Sequence, residues 1–508
     1  MSESTSAAPP SDGTAPAPRL ARGSLSVTDA IAISVSLLAP GLAMFLNVAG
    51  VSVVAGASTP LAFLLGGVAC LALAFVVVGF TRRMASAGYA YSYASRSLGK
   101  RAGFLAGWLY AFGFVCFTPM LMAGVAYLLV DLLQVGAGWW FPFFLTGMVL
   151  LVALSVVRVK VTTQAQIAVA VATVALILVV DVVVTVKGGT AGHTVQPFTF
   201  DHTLKGGFSG VFYGIILGIT SYIGFETAAD FGEETANPRK AVPVAIITTV
   251  VFAIVLYVWT TYALDIGVGT HDNGAAFAAE PSALKAVATR YVGGWLGNLL
   301  ELGALLSAFF ACVGCVIAVS RTLFSMGREG VLPSWLGRTH PRFRTPANAT
   351  VAVAALATVL AVIVGFGMAQ KAFGGAAFTV FYFFATLGTL AVILVYIGLC
   401  FGGAVFFKRT HERYNALAHL VVPVAGAALF AAALYGSVYP VPAFPLNYTP
   451  YLTLLWLVLG VAVIAALKAR NPAAIERIGS ILGEEGGGTA ADELDAVADA
   501  QTAAATKE

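Results

Sequence analysis

DAIAISVSLLAPGLAMFLNV (residues 29–48) and GVFYGIILGITSYIGFETAADFGEE (residues 210–234) are two apolar stretches, each long enough to cross a bilayer and each interrupted. A crossing helix takes about 20 residues. In the first stretch Ala39-Pro40-Gly41 lies near the middle; Pro40 removes a backbone donor and crowds the preceding turn, and Gly41 frees the chain from helical geometry. In the second, Gly214, Gly218 and Gly224 punctuate the run, with Thr220 and Ser221 between them. Unwound backbone inside lipid is costly unless it is buried or lines a wet cavity. Such a break exposes N–H groups at one helix start, which suit a carboxylate. It also exposes C=O groups at a helix end, which suit an ammonium or Na+. An amino acid carries both charges. Alternatively, Pro40 is a plain kink and the glycines serve close helix packing. Interruptions at matching positions of two halves favour a transport site built from inverted repeats.

The rest of the chain agrees with a membrane setting. Of 508 residues, 59% are hydrophobic and 10% charged, with a mean hydropathy of +0.89. A soluble domain carries about 25% charged residues. Apolar runs suggest about twelve crossing helices by length, near 28–50, 58–80, 103–132, 139–157, 164–186, 207–232, 240–265, 299–326, 347–368, 375–403, 417–437 and 449–468. The expected organisation is an N-terminal tail over 1–26, a membrane domain over 27–470 and an acidic, Ala-rich C-terminal tail over 471–508. With these spans only Lys187, Lys205, Lys285, Arg290 and Lys371, of 28 Lys and Arg, fall on one side. By the positive-inside rule both termini are expected in the cytoplasm of a multi-pass protein of the cell membrane. The odd set of five cysteines sits in apolar segments and reads as packing. The six histidines are scattered, with no metal-ligand spacing, so an enzyme is not expected.

Gly224-Phe225-Glu226, followed by Gly232-Glu233-Glu234-Thr235-Ala236-Asn237-Pro238 and Pro243, resembles a pattern of the amino acid–polyamine–organocation superfamily of transporters. So do Ser320-Arg321, Gly327-Arg328-Glu329-Gly330-Val331-Leu332-Pro333, and Thr345-Pro346-Ala347. Ala87-Gly88-Tyr89-Ala90-Tyr91 with Gly107-Trp108 matches the second loop. The resemblance covers about residues 27 to 470. It implies an all-α membrane fold with an inverted five-plus-five helix repeat, helices 1 and 6 broken, and two further helices. It also implies a secondary permease moving amino acids or related small amines by alternating access. A polyamine or cationic-amine carrier, or an exchanger of the same fold, is the alternative, and a passive channel a distant one. Ala39-Pro40-Gly41 departs from the family's Gly-Ser-Gly break.

Candidate substrate-binding residues are Ala39, Pro40, Gly41, Thr220, Ser221, Gly224 and Phe225. Glu226 and Asp230, ionisable groups inside a crossing, are gating or coupling candidates. Ser307 is the main hydroxyl of the eighth segment, where sodium-coupled relatives place cation ligands, and Thr173 stands in the fifth, where some proton-coupled relatives have Lys. No cofactor or metal is expected beyond a coupling ion, H+ or Na+. The expected partners are a small amino acid or amine and the bilayer, not nucleic acid. Ser26 and Asp29 have capping-box spacing. Asp181 and Glu301 fall near helix ends and are expected to be solvated.

Overall fold

Apolar runs of 20 residues and more, with few interior polar groups, can satisfy their backbone in lipid only as helices. The computed structural model describes residues 26–83, 89–157, 161–230, 238–328, 332–340, 343, 345–369, 375–409 and 414–470, and all regular structure among them is helical. The N-terminal tail up to residue 25 and the C-terminal tail lie outside the described residues, as do Ala87-Gly88, 232–237 and 329–331 of the motifs.

Among the described residues, eleven stretches are long and apolar enough to cross a membrane. The first runs 55 residues, Val27–Thr81, enough for two crossings, and a 3-10 turn at Gly56–Ser58 divides it. Counted as two, it brings the candidate crossings among the described residues to twelve, in line with the sequence reading. The first crossing comprises α1 (Val27–Leu37), α2 (Pro40–Leu42), a π-helical turn (Ala43–Asn47) and α3 (Val48–Ala55), and the second is α4 (Thr59–Thr81). Next come α5 (Tyr89–Leu98), which is too short and polar to span, then α6 (Lys100–Leu132), α7 (Trp140–Val157) and α8 (Val161–Lys187). The sixth crossing is split into α9 (Phe208–Tyr222) and α10 (Thr227–Asp230), followed by α11 (Pro238–Val268). Two short helices, α12 (His271–Ala279) and α13 (Ala283–Tyr291), precede α14 (Gly294–Arg328). The remaining crossings are α15 (Ala347–Gly367), α16 (Gly375–Arg409), α17 (Val422–Gly436) and α18 (Thr449–Arg470). The breaks thus fall in the opening helix of each successive five-helix block.

The interior is built around α6, which packs against both α14 and α16. Small residues let these backbones meet: a Cβ on Gly113 would lie 3.1 Å from the carbonyl oxygen of Gly388. The entry of α1 is capped as expected, with Ser26 Oγ accepting from the Asp29 amide and Asp29 Oδ2 from the Ser26 amide.

Two acidic residues overturn the expectation of solvation. Asp181 is fully buried and accepts from Thr260 Oγ1 of α11 at 2.7 Å. Glu301 is 1% exposed and pairs with Lys285 Nζ at 2.8 Å. Thr260 of α11 and Lys285, from a separate short helix, meet these carboxyls, so nearness to a segment end does not bring water. Lys285, on α13, also pairs with Asp131 at the end of α6, and so ties three elements together. Burial pulls the Lys285 ammonium down, but the two carboxylates outweigh it and hold it above the ordinary lysine value. Lys285→Met is expected to destabilise the protein by about 3 kcal/mol, the low end for a broken buried pair because Lys285 is itself partly exposed. Thermal unfolding in detergent reads this, and adding Glu301→Gln should recover much of the loss. A raised lysine contributes stability that is complete below its unfolded value and fades as pH rises through its folded value. The difference between wild type and Lys285→Met should therefore shrink at strongly alkaline pH, and also in acid once Asp131 and Glu301 take up protons.

Candidate functional site

The first break forms because proline disfavours helical geometry in the residue before it. The amides of Leu38 and Ala39 close the end of α1 on the carbonyls of Ser34 and Ser36, both at 3.3 Å. Ala39 then takes φ 47° and ψ 58°, left-handed geometry that costs a non-glycine residue about 1 kcal/mol. Pro40 opens α2, where its missing N–H is no loss. The chain leaves the helix at Ala39, and not at Gly41 as expected, because Gly41 is already helical. The reason for Gly41 is close packing. A Cβ there would lie 2.9 Å from Ala304 Cα of α14 and 2.8 Å from Thr173 Cγ2 of α8. Thr173 fills this contact and gives its hydroxyl to the Val169 carbonyl at 2.7 Å. It sits behind the break rather than in a binding wall.

The second break has a different cause. α9 stops at Tyr222, Ile223 is extended, and Gly224 adopts φ 119°, where a side chain is strained. Glu226 folds back over this turn. Its Oε2 accepts from the Gly224 amide at 2.9 Å, and its Oε1 accepts from Tyr110 at 3.1 Å and Tyr396 at 2.8 Å. The carboxyl is fully buried and caps the broken end through these three bonds. Thr227 closes the next turn by donating to the Gly224 carbonyl at 2.6 Å.

Between the breaks lies a cavity of about 50 Å³. The first crossing contributes Leu37, Leu38, Ala39, Leu42, Ala43 and Asn47, and the sixth contributes Thr220, Ile223, Gly224 and Thr227. Phe114, Phe117, Met120 and Leu121 of α6 form the facing wall, and Ala311 and Cys315 of α14 complete it. No ionisable carboxylate, amine or guanidinium lines it among the described residues. Pro40 gives no N–H to α2, and among the described residues no hydrogen-bond partner is recorded for the Gly41 and Leu42 amides.

Of the residues singled out from sequence, Ala39, Thr220 and Gly224 line this cavity. Pro40, Gly41, Ser221, Phe225, Glu226, Ser307 and Thr173 do not. Ser221 lies behind the wall, accepting from Asn47 Nδ2 at 2.8 Å and donating to the Leu217 carbonyl at 3.2 Å. Phe225 is fully buried, its ring 6.3 Å from that of Tyr396, so it packs in the core behind the cavity wall. Thr220 donates back to the Ile216 carbonyl at 2.9 Å and meets Thr389 Oγ1 of α16 at 2.6 Å. Ser307 is buried on α14 one turn from Ala311, with no partner for its hydroxyl among the described residues. The side chain of Asp230 lies outside the described residues.

Sequence reading missed Asn47, Thr227, Cys315 and the α6 wall. Asn47 had a signal, a lone amide in the apolar second half of the first stretch. The α6 residues had none, since a helix apolar on every side marks no face.

An amino acid permease family model matches residues 25–467. The branched-chain amino acid permease BcaP of Lactococcus lactis subsp. cremoris is 28% identical over 341 residues, covering 63% of this chain and 72% of the relative. BcaP of Bacillus subtilis is 25% identical over 333 residues, covering 61% and 68%. The low-affinity putrescine importer PlaP of Escherichia coli is 25% identical over 345 residues, covering 66% and 74%. With helices broken in the first and sixth crossings and a family match over most of its length, the chain belongs to the amino acid permease family and is a membrane transporter, not an enzyme.

Proposed function

We propose that this permease carries neutral, apolar α-amino acids across the cell membrane by alternating access, with both termini in the cytoplasm. One observation carries the choice of substrate: the cavity at the two breaks has aliphatic and aromatic walls and no charged side chain. Leu42, Phe117, Met120, Leu121 and Ile223 suit an aliphatic side chain, and burying each CH2 of it is worth about 0.8 kcal/mol. The open start of the second half of the first crossing suits the carboxylate. Two relatives are named for branched-chain amino acids, which agrees with such walls. The putrescine importer among the relatives suggests the competing diamine substrate. A diamine brings two positive charges, and Glu226, the nearest candidate counter-charge at the breaks, is occupied by the protein's own donors.

The purified permease should be warmed in detergent with leucine, isoleucine, valine, lysine and putrescine in turn. A ligand that binds the folded state raises the melting temperature, by a free energy of about 2.7 kcal/mol at a hundred times Kd. The aliphatic amino acids are expected to stabilise the protein and to drive counterflow in proteoliposomes. Stabilisation by putrescine alone would overturn the proposal. No cofactor enters this scheme, and imposing H+ and Na+ gradients separately on the same proteoliposomes identifies the driving ion.

A further inference from the structure

Asn47 has one end tied and one end open. Ser221 has a single hydroxyl proton, which goes to the Leu217 carbonyl at 3.2 Å. Towards Asn47 it therefore accepts, which fixes Nδ2 as the amide end that faces it at 2.8 Å. The other end, Oδ1, is buried and has no hydrogen-bond partner among the described residues. Asn47 as a whole is 3% exposed and lines the cavity. A buried acceptor left without a donor has lost its water and gained nothing in return. The other polar side chains of the wall are engaged: Thr220 with Ile216 and Thr389, and Thr227 with Gly224.

We infer that Asn47 Oδ1 accepts a hydrogen bond from the substrate's α-ammonium and makes the site selective for zwitterions over diamines. This rests on the reading of the cavity as the amino acid site. An amide oxygen takes an N–H without neutralising its charge. An α-amino acid brings its own carboxylate, so its net charge on entry is zero. A diamine brings only positive charge into walls that offer no anion. The grip of Nδ2 on Ser221 also links the first crossing to the sixth through the residue that holds the amine. Closure of the two broken helices around the substrate is thereby coupled to the presence of an amino group.

The test compares leucine with 4-methylpentanoate, which is leucine without its amino group, on the purified full-length protein. Asn47→Leu should weaken leucine binding tenfold or more, and leave binding of 4-methylpentanoate within about twofold, since a hydrogen bond to a charged group is worth about 1.5–3 kcal/mol. Ser221→Ala, which removes the tie but not the acceptor, should weaken leucine less than Asn47→Leu does. If Asn47→Leu fails to fold, Asn47→Asp serves: Ser221 can turn to donate to it, and the added charge should shift preference from leucine towards putrescine by tenfold or more. Equal losses for leucine and 4-methylpentanoate in Asn47→Leu would overturn the inference. So would an unchanged leucine-to-putrescine ratio in Asn47→Asp. If wild type itself does not bind leucine, it is the substrate reading that fails, so the two failures are distinguishable.

Discussion

Replacing Gly41 by leucine is expected to abolish uptake by preventing helices from docking, whereas replacing Gly224 by alanine is expected to cut it at least tenfold in a protein that still folds. At Gly41 the first added carbon meets Ala304 Cα at 2.9 Å and Ala304 N at 3.2 Å, backbone atoms that cannot turn aside. A leucine adds three more carbons against α14 and α8, well beyond the few methylenes that typically cost about 1–3 kcal/mol when forced into a packed core. The expected result is little folded Gly41→Leu protein by size-exclusion chromatography. At Gly224 the nearest atoms to an added carbon are those of Leu37, at 3.4 Å and beyond, so there is room. The obstacle is φ 119°, a conformation that costs a side-chain-bearing residue about 1–3 kcal/mol. Alanine relieves that strain by moving the turn, and with it the wall of the cavity. Normal monodispersity with uptake down at least tenfold is the expected pattern for Gly224→Ala. Full uptake in that variant would mean that the turn does not shape the site.

Glu226→Ala should be the most damaging change at a single polar side chain. It strands two buried donors, the Gly224 amide and the Tyr396 hydroxyl, and takes an acceptor from the half-buried Tyr110 hydroxyl. Each stranded donor costs about 1–3 kcal/mol, with little water at hand to replace the partner. Glu226→Gln behaves differently. Its oxygen can face the Gly224 amide, which can only donate, while its NH2 faces tyrosine hydroxyls that can turn to accept. Glutamine should therefore retain most of the thermal stability that alanine loses. Equal melting temperatures for the two variants would show that the hydrogen bonds to this carboxyl do not hold the turn.

Much of this fold was readable before any coordinates. Crossing number follows from run length, because lipid leaves helices as the only outlet for backbone donors. The two interruptions were legible because proline and glycine act locally, on the residues next to them. What proline does was legible, but the exit from the helix was placed two residues late, at Gly41 and not Ala39, since the steric effect of Pro40 falls on the residue before it. The contents of the cavity were less legible for a different reason. Glu226 finds its partners 116 and 170 residues away, and Asn47 meets Ser221 across 174. No local pattern marks such pairs. Asp181 and Glu301 were misjudged because burial near a helix end depends on how far the neighbours reach, which a single segment does not encode.

The two interruptions differ in permanence. Pro40 has no hydrogen to return to Ser36, so the first crossing cannot be zipped into a continuous rod in any conformation. Residues 222–226 contain no proline, and nothing covalent forbids that segment from rewinding if the Glu226 carboxylate releases the Gly224 amide. One half of the molecule thus carries an irreversible gap and the other a conditional one. Any cycle that alternates between the two faces has an asymmetric hinge pair, and only its sixth-crossing member has the freedom to change its winding.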